Sequence, residues 1–508
     1  MLKFKFTFAL FVISITSFAE VARLTVNLRN TEVTSLNFIQ PKKYLSRNFF
    51  KDGFLPIQLD EKKSAVKLFD LKEPQFFAIS CYDSNTKKTL NYNLYISPGD
   101  NLILNADFSK SDFGITVTGK GANNNQPSLK LEKSSEITKL YGDTLPTRIE
   151  YEIKRYQPIN RANFEAYKKQ YLPSENLIRA WELKLKYDAI NTFYSFKENN
   201  KFGIQLAYNR NIKAWEKAQD SLFTLSDLNN DEAINIGEYL SFISTFLLRK
   251  KEALWKESSQ NPEKFYAEWY KGGIEGAKSQ FLEDNTNDLK EKIIIKYFTG
   301  KTAEYLYVVL LENAIQESLL GNLIPIFERF KIKYPKNEYI PLLQSYIDPI
   351  VKRKALKVNE KMIFAKDDGL NINTFEEVLA LTKGKTVLLD MWGTWCGPCR
   401  EEIETNGKAI KDYFKAKGLD YVYVANYDLQ NAKKWKELIP YFNLEGLHIL
   451  ANDKLTKDIM TKIKGSGYPT YLIIKKDGSF ELSKAGYPME RDLLFKQIDE
   501  ALSLKSDK

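Results

Sequence analysis

The chain has 508 residues, 43% hydrophobic and 28% charged, a globular balance that excludes long disorder and low complexity. That length accommodates about three domains. A single histidine, His448, speaks against multi-histidine metal sites and catalysis by several imidazoles, and three cysteines, Cys81, Cys396 and Cys399, are too few for a disulfide framework.

The formal charge of +10 is Lys-rich and interleaved with acids along the chain. This is the pattern of a solvated surface, with weak contact to anionic envelope surfaces and no nucleic-acid partner. Residues 1–19 carry the pattern of a secretory signal peptide. Lys3 and Lys5 are followed by an apolar run from Phe6 to Thr16 and by Ser17-Phe18-Ala19, a small-x-small cleavage site. The run is shorter than the roughly 20 residues needed to cross a bilayer, and no cysteine follows it to carry a lipid. An exported protein is expected, soluble after cleavage, in the periplasm or cell envelope.

Residues 20–125 read as β structure. Ala22 to Leu28 alternates with period two, and Leu94 to Ile96 runs into Ser97-Pro98-Gly99-Asp100, where Pro and Gly suit a tight turn. Leu102 to Leu104 resumes the pattern, and Ile115 to Thr118 before Gly119-Lys120-Gly121 closes it. Short strands at this spacing predict a small antiparallel sandwich. Cys81, ending the apolar stretch from Phe76, is expected as a small buried hydrophobe.

Over 126–354 the period changes to 3.6, as in Leu177 to Leu185 and Tyr239 to Leu247, and an all-α region is expected, punctuated by Pro335 and Pro341. No fixed repeat length is present, and the aromatic residues read as core packing. Asp227 to Glu238 fits much of a calcium-loop template, but Glu232 stands where the loop needs glycine. It reads better as a helix start, with acids complementing the dipole.

Residues 355–508 alternate strand and helix, the signature of an α/β domain. Thr386 to Asp390, Asp420 to Ala425, Tyr471 to Ile474 and Ser479 to Ser483 are predicted strands, with Lys475 to Gly478 as a hairpin turn and Leu493 to Leu504 as a closing helix. His448 falls in a further short strand, in the core or at the surface.

One motif carries chemistry. Trp395-Cys396-Gly397-Pro398-Cys399-Arg400 follows a buried strand and opens a helix. Two cysteines three apart in a first helical turn close a small disulfide ring. The first thiol sits at the positive end of the helix dipole, which lowers a cysteine pKa from about 8.5 to roughly 3.5–7.5. Cys396 is therefore the expected nucleophile, ionised and accessible, and Cys399 the resolving thiol. A zinc site needs two more ligands, for which Cys81 and His448 are the sole candidates; an inert bridge requires neither Gly-Pro nor flanking tryptophans.

The segment Asp390-Met391-Trp392-Gly393-Thr394-Trp395-Cys396-Gly397-Pro398-Cys399 resembles the active site of thioredoxins. Its Gly-Thr-Trp form resembles the TlpA/ResA branch of exported thiol–disulfide oxidoreductases, over roughly 360–508. Tyr468-Pro469-Thr470 resembles the family's cis-proline loop, and Gly486 falls where a small residue borders the groove. Tyr95 to Asp100 and Gly119 to Asn123 resemble a small β domain that precedes TlpA-like modules. The implied architecture is a multidomain α+β chain: an N-terminal antiparallel β-sandwich-like domain, a central all-α region and a C-terminal α/β thioredoxin fold.

The resemblance implies that Asp390 is a buried acid taking the proton of Cys399, and that Glu402 is held near the cysteines. Trp395 shields the disulfide, Trp392 packs beneath the helix, and Gly397, Pro398, Tyr468, Pro469 and Thr470 meet the substrate. Glu404 stands where the family commonly has a kinking proline, which leaves the helix outline open.

The implied activity is reduction of protein disulfides. The Gly-Pro pair is shared with thioredoxin at about −270 mV, and the histidine of strong oxidants is missing. Disulfide-bearing proteins and a membrane electron donor are the implied partners, with no cofactor and no metal. The alternative is an envelope binding or scaffold protein, built on the residues before the motif, with a secondary or regulatory redox module.

Overall fold

The computed structural model describes residues 21–39, 56–129, 131–317 and 319–503; the expected leader over 1–19 lies outside them. The chain divides into two compact units. One comprises residues up to 285 with 289–309, and the other 286–288 with the chain from 310 onward.

Period-two alternation in the first unit produces eight described strands: β1 (Val21–Arg29), β2 (Ser35–Ile39), β3 (Ile57–Gln58), β4 (Ser64–Asp70), β5 (Gln75–Asp83), β6 (Lys88–Ile96), β7 (Asn101–Asp107) and β8 (Thr116–Lys120). They form two four-stranded sheets, ordered β4-β1-β7-β8 and β3-β2-β5-β6. Leu24, Val26 and Leu104 from one sheet and Phe77, Ile79 and Leu94 from the other belong to one buried cluster, so the sheets are the two layers of a sandwich.

One pairing departs from the antiparallel expectation. β1 and β7 run parallel, with Arg23 opposite Asn101 and Arg29 opposite Asp107. No tight turn links these two strands, so nothing forces them to reverse direction. Cys81 is buried in β5, as its apolar surroundings require. Gly119 is positioned by close approach. Its φ is +95°, and a Cβ there would lie 2.0 Å from the Asn101 carbonyl oxygen.

Helices follow: α1 (Thr147–Tyr171), α2 (Glu175–Arg210), α3 (Ile212–Leu222), α4 (Gly237–Gln260), α5 (Pro262–Trp269), α6 (Gly273–Glu283), α7 (Asn287–Tyr297), α8 (Gly300–Gln316), α9 (Leu323–Lys333) and α10 (Ile340–Lys354). Phe193 and Phe196 of α2 share a core with Trp215 of α3, so the aromatic residues do pack inward. The acidic stretch before α4 forms two short 3-10 turns. Its oxygens serve local structure: Asp227 accepts from Thr224 N–H at 2.9 Å, and Asp231 from Thr302 N–H at 3.1 Å.

In the second unit, six described strands form one sheet, ordered β14-β13-β10-β11-β12-β9. These are β9 (Met362–Phe364), β10 (Thr386–Trp392), β11 (Leu419–Ala425), β12 (Gly446–Leu450), β13 (Thr470–Ile474) and β14 (Phe480–Leu482). β9, β10, β11 and β12 are parallel where they pair, whereas β13 is antiparallel to β10 and β14. The remaining helices are α11 (Phe375–Leu381), α12 (Gly397–Phe414), α13 (Ala432–Tyr441), α14 (Asp453–Lys462) and α15 (Arg491–Ser503). Both sheet faces are covered, which is why β10 reads as a continuous apolar run rather than an alternating one. Val387, Leu389 and Met391 enter the core beside α11 and α14, and Leu388 enters the opposite core with Ile410 and Phe414 of α12. Strand alternation therefore places Asp390 with Leu388, on the α12 face.

Among the described residues no helix is long and apolar enough to cross a membrane.

Candidate active site

The buried strand β10 ends at Trp392, and α12 starts five residues later. Cys396 is the residue just before that helix, where a side chain that accepts from the first-turn N–H groups is favoured. Here sulfur does so: Cys399 N–H donates to Cys396 Sγ at 3.2 Å. Pro398 occupies the first turn, where its missing N–H costs nothing. Cys396 and Cys399 are joined in a disulfide, with Cα atoms 5.3 Å apart.

The disulfide is less open than the sequence predicts. Cys396 retains 3% exposure and Cys399 1%. Next to the pair, the Arg400 guanidinium donates to the Thr394 carbonyl at 2.5 Å and to the Glu317 carbonyl at 3.1 Å. The exposed surface at the site is Pro398 together with aromatic rings. Trp395 is 48% exposed and leans over Gly393, its Nε1–H donating to the Asn426 carbonyl at 2.8 Å. Tyr468 stands edge-on to it at 5.7 Å. Tyr427, which the motif does not reveal, lies 6.2 Å from Trp395 and 6.3 Å from Tyr468 with its backbone at φ +54°. Trp392, by contrast, is fully buried.

The peptide bond between Tyr468 and Pro469 is cis, and Thr470 opens β13 alongside Met391. Gly486 begins a second loop, and the Met489 N–H of that loop donates to Glu402 Oε1 at 3.0 Å. α12 runs unbroken past Glu404, whose carboxylate pairs with Arg353 of α10 at 2.6 Å.

On the α12 face of β10, Asp390 is buried, and its Oδ1 has no protein partner. Burial foremost, and then the charge of Glu402, push its carboxyl up to about 8. Asp390 and Glu402 share the wall of a cavity of about 30 Å³, enough for one or two waters. Glu402 is buried too, with Oε2 accepting from the Asn406 amide at 2.6 Å. The structure thus brings Asp390 and Glu402 to one cavity wall, which neither cysteine lines, and sets Trp395 and Tyr468 ring to ring.

Asp428 has no signal in the motif. It accepts from both the N–H and the hydroxyl of Thr394, each at 2.6 Å, and so holds the turn before the cysteines. Among the described residues, no group of three or more His, Cys, Asp or Glu side chains is placed to hold a metal ion.

A thioredoxin-like family model matches residues 384–480. Over 96 residues the chain is 35% identical to the thiol-disulfide oxidoreductase ResA of Bacillus cereus, covering 19% of this chain and 52% of that protein. Over 111 residues it is 29% identical to the sporulation thiol-disulfide oxidoreductase A of Bacillus subtilis, covering 22% of this chain and 61% of that protein. Among solved structures, the thioredoxin domain of a thiol-disulfide oxidoreductase from Bacteroides vulgatus aligns at 24% identity over 24% of this chain and 82% of that one, with a TM-score of 0.20. The chain spans little more than half the length of the curated relatives it matches. Residues 384–480 of the chain are thus similar to the thioredoxin-like family and to ResA-type thiol-disulfide oxidoreductases.

Proposed function

We propose that this protein is an exported thiol–disulfide oxidoreductase that reduces protein disulfides through Cys396 and Cys399. The observation that carries the proposal is the cysteine pair at the start of α12, together with a protonatable Asp390 buried on the α12 face of β10. Helix-terminal N–H groups favour the Cys396 thiolate. That thiolate attacks one sulfur of the target disulfide, an S–S bond forms to Cys396, and the target's other sulfur leaves as a thiolate. In molecules whose Asp390 is ionised, Cys399 then gives its proton to that carboxylate and attacks Cys396 Sγ. The mixed disulfide breaks, the second target thiolate departs, and the Cys396–Cys399 disulfide remains. Two electrons have passed to the target. A carboxyl near 8 suits this step, because its affinity for a proton nearly matches that of a thiol at about 8.5.

Trp395, Gly397, Pro398, Tyr468, Pro469 and Thr470 form the surface on which the target polypeptide is held. Export rests on the leader pattern of residues 1–19, and the compartment is the periplasm or cell envelope. Such a compartment lacks the cytosolic reductant pool, so a membrane electron donor regenerates the dithiol.

Insulin reduction with dithiothreitol as donor tests the activity, with Cys396→Ser as control. Turnover in the wild type and none in the variant is expected. Absence of turnover in the reduced wild type overturns the proposal in favour of a binding or scaffold role. The Cys399→Ala variant is expected to accumulate mixed disulfides with targets, and equal trapping by Cys396→Ala overturns the assignment of the nucleophile.

A further inference from the structure

Glu402 lies one helical turn beyond Cys399, and its surroundings have a definite polarity. The Arg491 guanidinium reaches Asn406 Oδ1 through Nε at 3.0 Å and Nη2 at 2.7 Å. Arginine has donors only, so the Asn406 oxygen must face it and the Asn406 amide N–H must point the other way. That N–H donates to Glu402 Oε2 at 2.6 Å, while Met489 N–H donates to Oε1 at 3.0 Å. Both oxygens of Glu402 are therefore acceptors, each held by one donor. The Glu402 carboxylate lines the same cavity as Asp390, whose Oδ1 has no protein partner.

We propose that Asn406 and Arg491 are positioning residues: their donor-to-acceptor order holds the Glu402 carboxylate against the Asp390 cavity and thereby sets how readily Asp390 exchanges a proton with Cys399. The inference rests on the role given to Asp390 under the proposed function, and it adds two residues that touch neither cysteine nor target. The chain Arg491, Asn406, Glu402, Asp390 carries a surface cation's influence to the buried acid without a direct ion pair. In a cavity of low dielectric, a fixed negative charge opposes formation of a second one. The other titratable groups facing Asp390 act differently. Tyr423 and Tyr471 come from the flanking strands and are themselves held protonated by burial, and so is Tyr421 on the same wall. Lys411, further along α12, is turned to the Asn443 carbonyl. Outside the cavity Tyr487 hydroxyl donates to Glu401 at 3.1 Å.

The test needs a readout that fold stability alone does not move. In the oxidised protein labelled with ¹³C-aspartate, the Asp390 carboxyl resonance, assigned by its loss in Asp390→Asn, is followed against pH. Asn406→Leu removes the donor from Glu402. Glu402 is then free to swing off the cavity wall, and with its charge further away Asp390 is expected to titrate about one pH unit lower. Arg491→Lys, which retains donors, is expected to leave the titration in place, while Arg491→Met moves it in the same direction as Asn406→Leu. An unmoved Asp390 titration in folded Asn406→Leu, whatever its thermal midpoint, overturns the inference. This titration needs no turnover, so its outcome is independent of insulin reduction: an inactive protein with the shift refutes the activity and keeps the coupling.

Discussion

Thr394 and Asp428 are joined twice, the Thr394 N–H donating to one carboxylate oxygen and its hydroxyl to the other, each at 2.6 Å, with both residues buried. Thr394 stands two residues before Cys396, and Asp428 lies in the segment after β11, so this pair anchors the turn that presents the cysteines. Asp428→Ala leaves a buried N–H without its acceptor, and a cost of roughly 2–4 kcal/mol is expected. Thermal unfolding measures that cost, and insulin turnover should fall with it as the turn loosens. Equal stability of the variant and wild type shows the pair to be dispensable.

Asp390 links acidity to stability. Its folded-state carboxyl is raised from 3.8 to about 8, so the folded protein holds a proton that the unfolded chain loses. The favourable contribution is complete below pH 4 and is lost as pH rises through about 8. Four pH units correspond to on the order of 5 kcal/mol. Asp390→Asn is accordingly expected to unfold at a higher temperature than wild type at pH 8.5 and at nearly the same temperature at pH 4. Its release of mixed disulfides should slow by roughly 100-fold. A variant no more stable than wild type at pH 8.5 contradicts the buried, protonated assignment.

His448 has the opposite sign. Its Nε2–H donates to the Leu444 carbonyl at 2.8 Å, and its ring stacks 5.2 Å from that of Tyr423. Burial, aided by the charge of Lys411, pulls the imidazole down from 6.5 to about 4. Its contribution is full above pH 6.5 and disappears as pH falls to 4, a loss of about 3 kcal/mol. Since this is the chain's single histidine, one imidazole resonance reports it by proton NMR, with a midpoint near 4. A midpoint near 6.5 places the ring in solvent.

Gly393 makes room for the exposed indole. A Cβ at this position would stand 2.4 Å from Trp395 Nε1 and 3.0 Å from the Asn426 carbonyl oxygen. Gly393→Ala is expected to push Trp395 off Asn426 at a cost of roughly 1–3 kcal/mol. The displaced ring should raise the KM for a protein disulfide by more than that for a small one. Unchanged tryptophan fluorescence and unchanged KM show that the ring is held by other contacts.

Much of this molecule was legible in one dimension. The apolar run from Thr386 to Asp390, the Cys-Gly-Pro-Cys spacing with proline in a first helical turn, and the alternation over β1 are local patterns whose period matches the backbone geometry they adopt. Parity along β10 alone places Asp390 on the opposite face from Leu389, although only packing shows that this face lies beneath α12. Glu402 illustrates the limit. As a helix residue three beyond Cys399 it fits solvent as well as the interior, and burial depends on the loop whose Met489 arrives 87 residues later.

The tertiary structure decided what depends on distant chain segments meeting. The Asp428 carboxylate meets Thr394 across 34 residues, and Arg491 reaches Asn406 across 85. The parallel pairing of β1 with β7 joins strands separated by most of the sandwich, and Arg400, next to Cys399, meets the carbonyl of Glu317 across 83 residues. Periodicity and turn chemistry act between near neighbours and so are written in the order of residues. Burial, hydrogen-bond partnership and the acidity that follows from them are properties of the space those neighbours enclose together.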